Sequence, residues 1–149
     1  HKGTKHRRPG DVLYRLSAGK AGRKRGFILK QLNVMVVDDE PGIRDLFRDV
    51  ITMRGHRAIC AGSGTEALEM LQADRVDVIF LDIRMPNGDG ISTLKHIRTL
   101  KPMPKVVMIT GDGNRDVVDE AMGLGSMLCL MKPFSIRDVT GLLDLVEAA

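Results

Sequence analysis

From Asn33 onward the chain alternates between short continuous apolar runs and longer stretches whose apolar residues recur every three or four positions. The runs Asn33–Val37, Arg57–Ala61, Asp77–Leu81, Lys105–Ile109 and Met127–Met131 are each bounded by turn residues. Such runs predict strands covered on both faces, as in a parallel sheet. After the first run, Ile43, Leu46, Phe47, Val50 and Ile51 fall on one helical face, and Gly55 suits the end of that helix. Ser63-Gly64-Thr65-Glu66 has the capping-box pattern and opens a helix through Ala73. Gly90–Leu100 is predicted as a helix with Ile91, Leu94 and Ile97 inward, and another is expected over 114–124. Ser135 with Asp138 caps a last helix that carries Ile136, Val139, Leu143 and Val146. Strands alternating with helices in this way predict an α/β domain with right-handed crossovers.

The first 32 residues break this pattern. They are rich in glycine, have little apolar periodicity and predict an extension with at most a short helix around Val12–Leu16. The expected organisation is therefore a basic N-terminal extension over 1–32, a tail or vector-derived residues, and one domain over 33–149. Charge divides at the same boundary. The overall +4 averages a segment of +9 before Asn33 with one of −5 after it. A basic arm suits nucleic acid on charge grounds. It offers only Tyr14 ahead of Phe27 for stacking on a base, so a solvated tail or vector-derived residues is the expected reading of the arm. Nucleic acid is not expected to bind through the acidic domain itself. No stretch reaches the ~20 apolar residues of a membrane helix. Two cysteines, Cys60 and Cys129, form no disulfide framework, which fits a reducing cytoplasm.

Chemistry gathers where the predicted strands end. The first ends in Asp38-Asp39, the third in Asp82, the fourth in Thr110 and the fifth in Lys132-Pro133. In open α/β sheets, sites form just outside these carboxyl ends. If the first and third strands are neighbours, three carboxylates meet at one rim, where raised pKa values or a bound cation must relieve their repulsion. Oxygen ligands of this kind favour a hard cation such as Mg²⁺. A carboxylate beside a metal, a hydroxyl and an ammonium makes a phosphoryl site. The carboxylate attacks phosphorus, Lys132 and the metal neutralise the equatorial oxygens, and Thr110 donates to one of them.

The segments "VMVVDDEPGIRDLF", "VDVIFLDIRMPNGDG", "VVMITG" and "LMKPF" follow one another in an order and spacing that resemble the receiver domains of two-component response regulators. The resemblance covers residues 33–149. It implies a flavodoxin-like (βα)5 fold with strand order 2-1-3-4-5, and a cis bond before Pro133. It implies that Asp82 is the phosphoacceptor, and that Asp39, Asp82 and the backbone carbonyl of Arg84 ligate Mg²⁺. Asp38 would act mainly through a bound water, and Thr110 and Lys132 would contact the phosphoryl group. A histidine kinase or histidine phosphotransfer protein would supply that group, a downstream effector protein would read it, and a weak dimer is compatible with the family. Such a domain catalyses only its own phosphotransfer and dephosphorylation.

Three positions depart from the family pattern. No aromatic lies between Gly125 and Phe134, where a switch residue is usual at Cys129 or Leu130; Gly111 stands where alanine is common; and Arg84 sits two residues beyond the phosphoacceptor. Arg84 is placed to pair with Asp112, to lean over the phosphoryl group, or simply to enter water. An aspartate-nucleophile phosphatase would want an acid where Arg84 stands. A flavodoxin-like electron carrier would want a phosphate loop where "DDEPG" stands. The expected function is a stand-alone switch or phosphorelay intermediate. The alternative is a receiver excised from a DNA-binding response regulator or hybrid kinase.

Overall fold

The computed structural model describes residues 12–14, 30–86, 90–111 and 115–148. Among these described residues six strands and five helices follow in the order β1 (Val12–Tyr14), β2 (Asn33–Val37), α1 (Pro41–Met53), β3 (Arg57–Ala61), α2 (Gly64–Ala73), β4 (Val78–Asp82), α3 (Gly90–Ile97), β5 (Lys105–Thr110), α4 (Arg115–Gly123), β6 (Leu128–Met131) and α5 (Ile136–Ala148). The sheet order is β1-β6-β5-β4-β2-β3. Its five strands after Asn33 are parallel, so counted among themselves they stand in the expected order 2-1-3-4-5.

β1 was not expected. Val12–Tyr14 pairs antiparallel with β6, Val12 opposite Leu130 and Tyr14 opposite Leu128. Where the sequence allowed at most a short helix there is a strand, because the outer edge of β6 supplies the backbone partners that no local pattern can reveal. A β-branched and an aromatic residue in the tripeptide suit that setting. The rest of the basic segment before Lys30 lies outside the described residues.

Alternation along the parallel strands explains why both faces are covered. Met35, Val37, Ile79, Leu81, Val106, Met108 and Cys129 face α2, α3 and α4. Val34, Val36, Val78, Phe80, Val107, Ile109, Leu128 and Leu130 face α1 and α5. Phe47 of α1 centres the second layer, 4.9 Å from the ring of Phe80 and 5.7 Å from that of Phe134. The second contact seats the segment after β6 on α1.

Ends of elements follow their local chemistry. Gly55 and Gly125 take left-handed φ of 85° and 109°. After α1, His56 N–H donates to Ile51 O and Gly55 N–H to Thr52 O; after α4, Ser126 donates to Ala121 O and Gly125 to Met122 O. Both are Schellman endings that only glycine adopts without cost. Ser63 Oγ accepts from Glu66 N–H at 3.1 Å, and the Glu66 carboxylate accepts from Gly62 N–H at 2.7 Å, one residue earlier than a capping box requires. Ser135 and Asp138 cap each other's backbone N–H at 2.8 and 3.2 Å.

Candidate functional site

The carboxyl ends of four neighbouring strands deliver the site. Asp38 and Asp39 follow β2, Asp82 is the last residue of β4, Thr110 the last of β5, and Lys132 comes directly after β6. The sequence pattern ended the third strand at Leu81, but Asp82 is inside the ladder, opposite Ile109 of β5. Ile83 N–H then bonds Ile109 O at 2.9 Å. The sheet, not a loop, therefore fixes the Asp82 backbone.

Asp38 and Asp82 are held alike. Asp38 Oδ1 accepts from Glu40 N–H at 2.9 Å, and Asp82 Oδ1 accepts from Arg84 N–H at 3.1 Å. Each donor is two residues on, the local turn that short carboxylates make. Each Oδ2 is left facing Lys132, whose Nζ stands 3.7 Å from Asp38 and 3.6 Å from Asp82. These are ion-pair distances too long for tight hydrogen bonds. Asp38 is fully buried, Asp82 is 2% exposed, and Thr110 is fully buried; Asp39 is exposed.

That arrangement is electrostatically costly. Burial pushes the Asp82 carboxyl up to about 6 and the Asp38 charge adds to the rise, while Lys132 and the Arg84 N–H pull it back. Burial also raises Asp38, against the Glu40 N–H and Lys132. Lys132 is drawn down by its own burial, but Asp82 and Asp38 outweigh this and leave it raised. Among the described residues Asp38 Oδ2 is buried with no hydrogen-bond partner, its nearest counter-charge being Lys132 Nζ at 3.7 Å. A buried acceptor in that position suits a cation or an ordered water.

One oxygen from each of Asp38, Asp39 and Asp82 falls within 4.8 Å of the others. An oxygen-only set with an orphaned buried acceptor fits a hard, well-hydrated divalent cation such as Mg²⁺. The mouth of the site is lined by Asp39, Glu40, Asp82, Arg84, Gly111 and Lys132. Of the six residues singled out from the sequence, Asp39, Asp82, Arg84 and Lys132 line that mouth, while Asp38 and Thr110 are buried at the ends of β2 and β5 beside it. Arg84 is there through its backbone N–H and exposed side chain, whereas its suggested partner Asp112 lies outside the described residues.

Sequence reasoning missed two supports. Arg44, one turn into α1, donates from Nη1 to the Asp38 carbonyl at 2.8 Å. Its position six residues after Asp38 carries no local signal. Gly90 opens α3 against the back of Asp82, where a β-carbon would stand 2.2 Å from the Asp82 carbonyl oxygen and 2.6 Å from Ile83 Cα. A glycine opening a helix just after a reactive strand end was the available clue. The Lys132–Pro133 bond is cis, as the resemblance implied, and so is Lys101–Pro102.

Residues 34–144 match the response regulator receiver domain family. The chain is similar to sporulation initiation phosphotransferase F of Bacillus subtilis, 32% identical over 71% of this chain and 86% of that protein. It is 33% identical to the transcriptional regulatory protein PdtaR of Mycobacterium tuberculosis over 75% of this chain. It spans about half of that regulator, 55%, and 23% of the regulatory protein AtoC of Escherichia coli. Among solved structures, chemotaxis protein CheY4 of Vibrio cholerae superposes with a TM-score of 0.74 at 28% identity, over 78% of this chain and 99% of that one. A beryllofluoride-activated NtrC4 receiver domain, solved as a dimer, superposes with a TM-score of 0.71 at 31% identity, over 76% of this chain and 94% of that one. Fold, rim and relatives agree: the chain belongs to the response regulator receiver domain family of two-component signalling.

Proposed function

We propose that the chain is a phosphorylation-operated switch in which Asp82 accepts a phosphoryl group from a histidine kinase or histidine phosphotransfer protein. The observation that carries this reading is the Asp82 carboxylate itself. One oxygen is tied to the Arg84 N–H, and the other faces the Lys132 ammonium beside the unpartnered oxygen of Asp38. In the transfer, Asp82 Oδ2 forms a bond to phosphorus and the donor's P–N bond breaks. The imidazole leaves with that electron pair and takes up a proton. The product is an acyl phosphate on Asp82. Lys132 and the Thr110 hydroxyl stabilise the equatorial oxygens as charge develops.

Asp39, Asp82 and the backbone carbonyl of Arg84 would hold Mg²⁺, with Asp38 acting through a water. When bound, the ion neutralises phosphoryl oxygens and keeps Asp82 ionised. Dephosphorylation is the reverse problem, attack by water on the same phosphorus, which this rim would also catalyse. The chain therefore acts on itself rather than as a free-standing enzyme. Its place would be the cytoplasm, where it would serve as a switch or phosphorelay intermediate read by an effector protein. A second reading, the receiver portion of a longer regulator, is favoured by the relatives of which the chain spans 55% and 23%.

The test uses a small-molecule phosphodonor such as acetyl phosphate. With Mg²⁺ one hydroxylamine-labile phosphoryl group should appear, mapped to Asp82, and neither a chelated sample nor Asp82→Asn should acquire it. Equal labelling of the Asp82→Asn protein would overturn the assignment.

A further inference from the structure

We propose that the outer edge of β6 is a strand-addition site whose occupant is this chain's own Val12–Tyr14. Without β1, β6 would be the last strand of the sheet, presenting a row of unpaired backbone donors and acceptors. The tripeptide fills that row antiparallel, with Val12 opposite Leu130, Leu13 opposite Cys129 and Tyr14 opposite Leu128.

The direction of pairing is compatible with the connection. Tyr14 leaves β1 beside Leu128, at the end of the sheet where the parallel strands begin, and β2 begins at that same end with Asn33. Four strand steps separate β1 from β2 in the sheet. At ~4.8 Å per step this is roughly 19 Å. The residues between 14 and 33 can extend to about 60 Å at ~3.3 Å each. The intervening chain is thus long enough to deliver the strand in cis.

Backbone pairing supplies such a strand with its affinity, and the edge accepts any extended segment of compatible shape. The occupied edge matters because of what β6 carries. Lys132 follows the strand at once, and its N–H bonds Thr110 O at 2.8 Å. A strand laid along Leu128–Leu130 therefore braces, from outside, the element that presents the ammonium of the site. The arm also covers the one edge of the sheet that lies next to that ammonium, keeping it from foreign strands.

The experiment is hydrogen exchange on the full chain, read at β6 with β4 as internal reference. Proline at both ends of the arm strand, Val12→Pro with Tyr14→Pro, removes two backbone donors and should bar it from the ladder. The outward-facing β6 amides should then exchange at least tenfold faster, with β4 unchanged. A synthetic peptide of residues 9–17 added in trans should restore the protection. In the parent chain, protection that survives dilution assigns the strand to the same molecule. Protection lost on dilution would give the strand to a second copy and overturn the assignment in cis. Unchanged β6 exchange in the double variant would remove the site altogether, and loss of β4 protection would show the arm to be part of the core.

Discussion

Two glycines at the site have opposite tolerances, and the difference lies in what a methyl would meet. At Gly90 it would meet fixed backbone, 2.2 Å from the Asp82 carbonyl oxygen. At Gly111 it would meet the Lys132 stem at 3.7 Å, an ordinary contact. Gly90→Ala should therefore displace the strand end that holds Asp82 and cost about 1–3 kcal/mol in urea unfolding. Gly111→Ala should stay within about 0.5 kcal/mol of the parent. The same carboxylate sets a pH dependence. The Asp82 pKa is raised to about 6, so between its ordinary value of ~3.9 and that point the folded protein holds a proton the unfolded chain has released. Stability must fall as pH rises through that window, and the raised Asp38 adds in the same direction. Without Mg²⁺, Asp82→Asn should flatten the fall and be the more stable protein above about pH 7, by on the order of 1–3 kcal/mol. Parallel pH–stability curves for parent and variant would contradict this account.

Among the elements, α5 is anchored at its end remote from the chemistry. Glu147 accepts from Arg54 Nη2 at 2.9 Å, and its other oxygen lies 2.7 Å from His56 Nε2. Leu32 N–H donates to His56 Nδ1 at 3.0 Å, which leaves the ring proton on Nε2, aimed at Glu147. Arg54 also pairs with the exposed Asp144. Glu147→Ala strands the buried His56 N–H and should cost about 1–3 kcal/mol. Asp144→Ala removes only a solvent-facing partner and should cost less than about 1 kcal/mol. Thermal or urea melts of the two variants separate these expectations. Elements of this kind were legible in the sequence wherever the signal is local. The apolar runs stood within one residue of the pattern, and the Ser63 and Ser135–Asp138 caps and the glycine after α1 stood where it placed them. What escaped depends on distant chain. β1 exists through the edge of β6, the Glu147 anchor joins residues about ninety apart, and Arg44 acts through a neighbouring turn. The carboxylates were recognisable because each sits at a strand end. Their shared burial and the orphaned Asp38 oxygen arise only once the strands are side by side.

For the whole molecule, the sheet order governs which residues can ever meet. Cys60 and Cys129 lie on β3 and β6, four strand steps apart. That is roughly 19 Å at ~4.8 Å per step, against the ~7 Å limit for bridged α-carbons. Burial also pushes the Cys129 thiol up to about 12. No intramolecular disulfide should form under mild oxidation, and peptide mapping that found one would refute the strand order. Cys129 is not on the sheet edge, as the five-strand plan had it, because β1 lies outside β6. The order also places the two ends of α5 in different mechanical situations. Its last turn is pinned to Arg54 and His56, while its first turn begins four residues after Lys132. Thirteen residues make a rod about 20 Å long. A rod clamped at the far end converts a push at the near end into an angle. Any 1 Å movement passed on from Lys132 would tilt α5 by about 3° about its clamp, with the largest travel at the exposed Ile136 and almost none at Glu147.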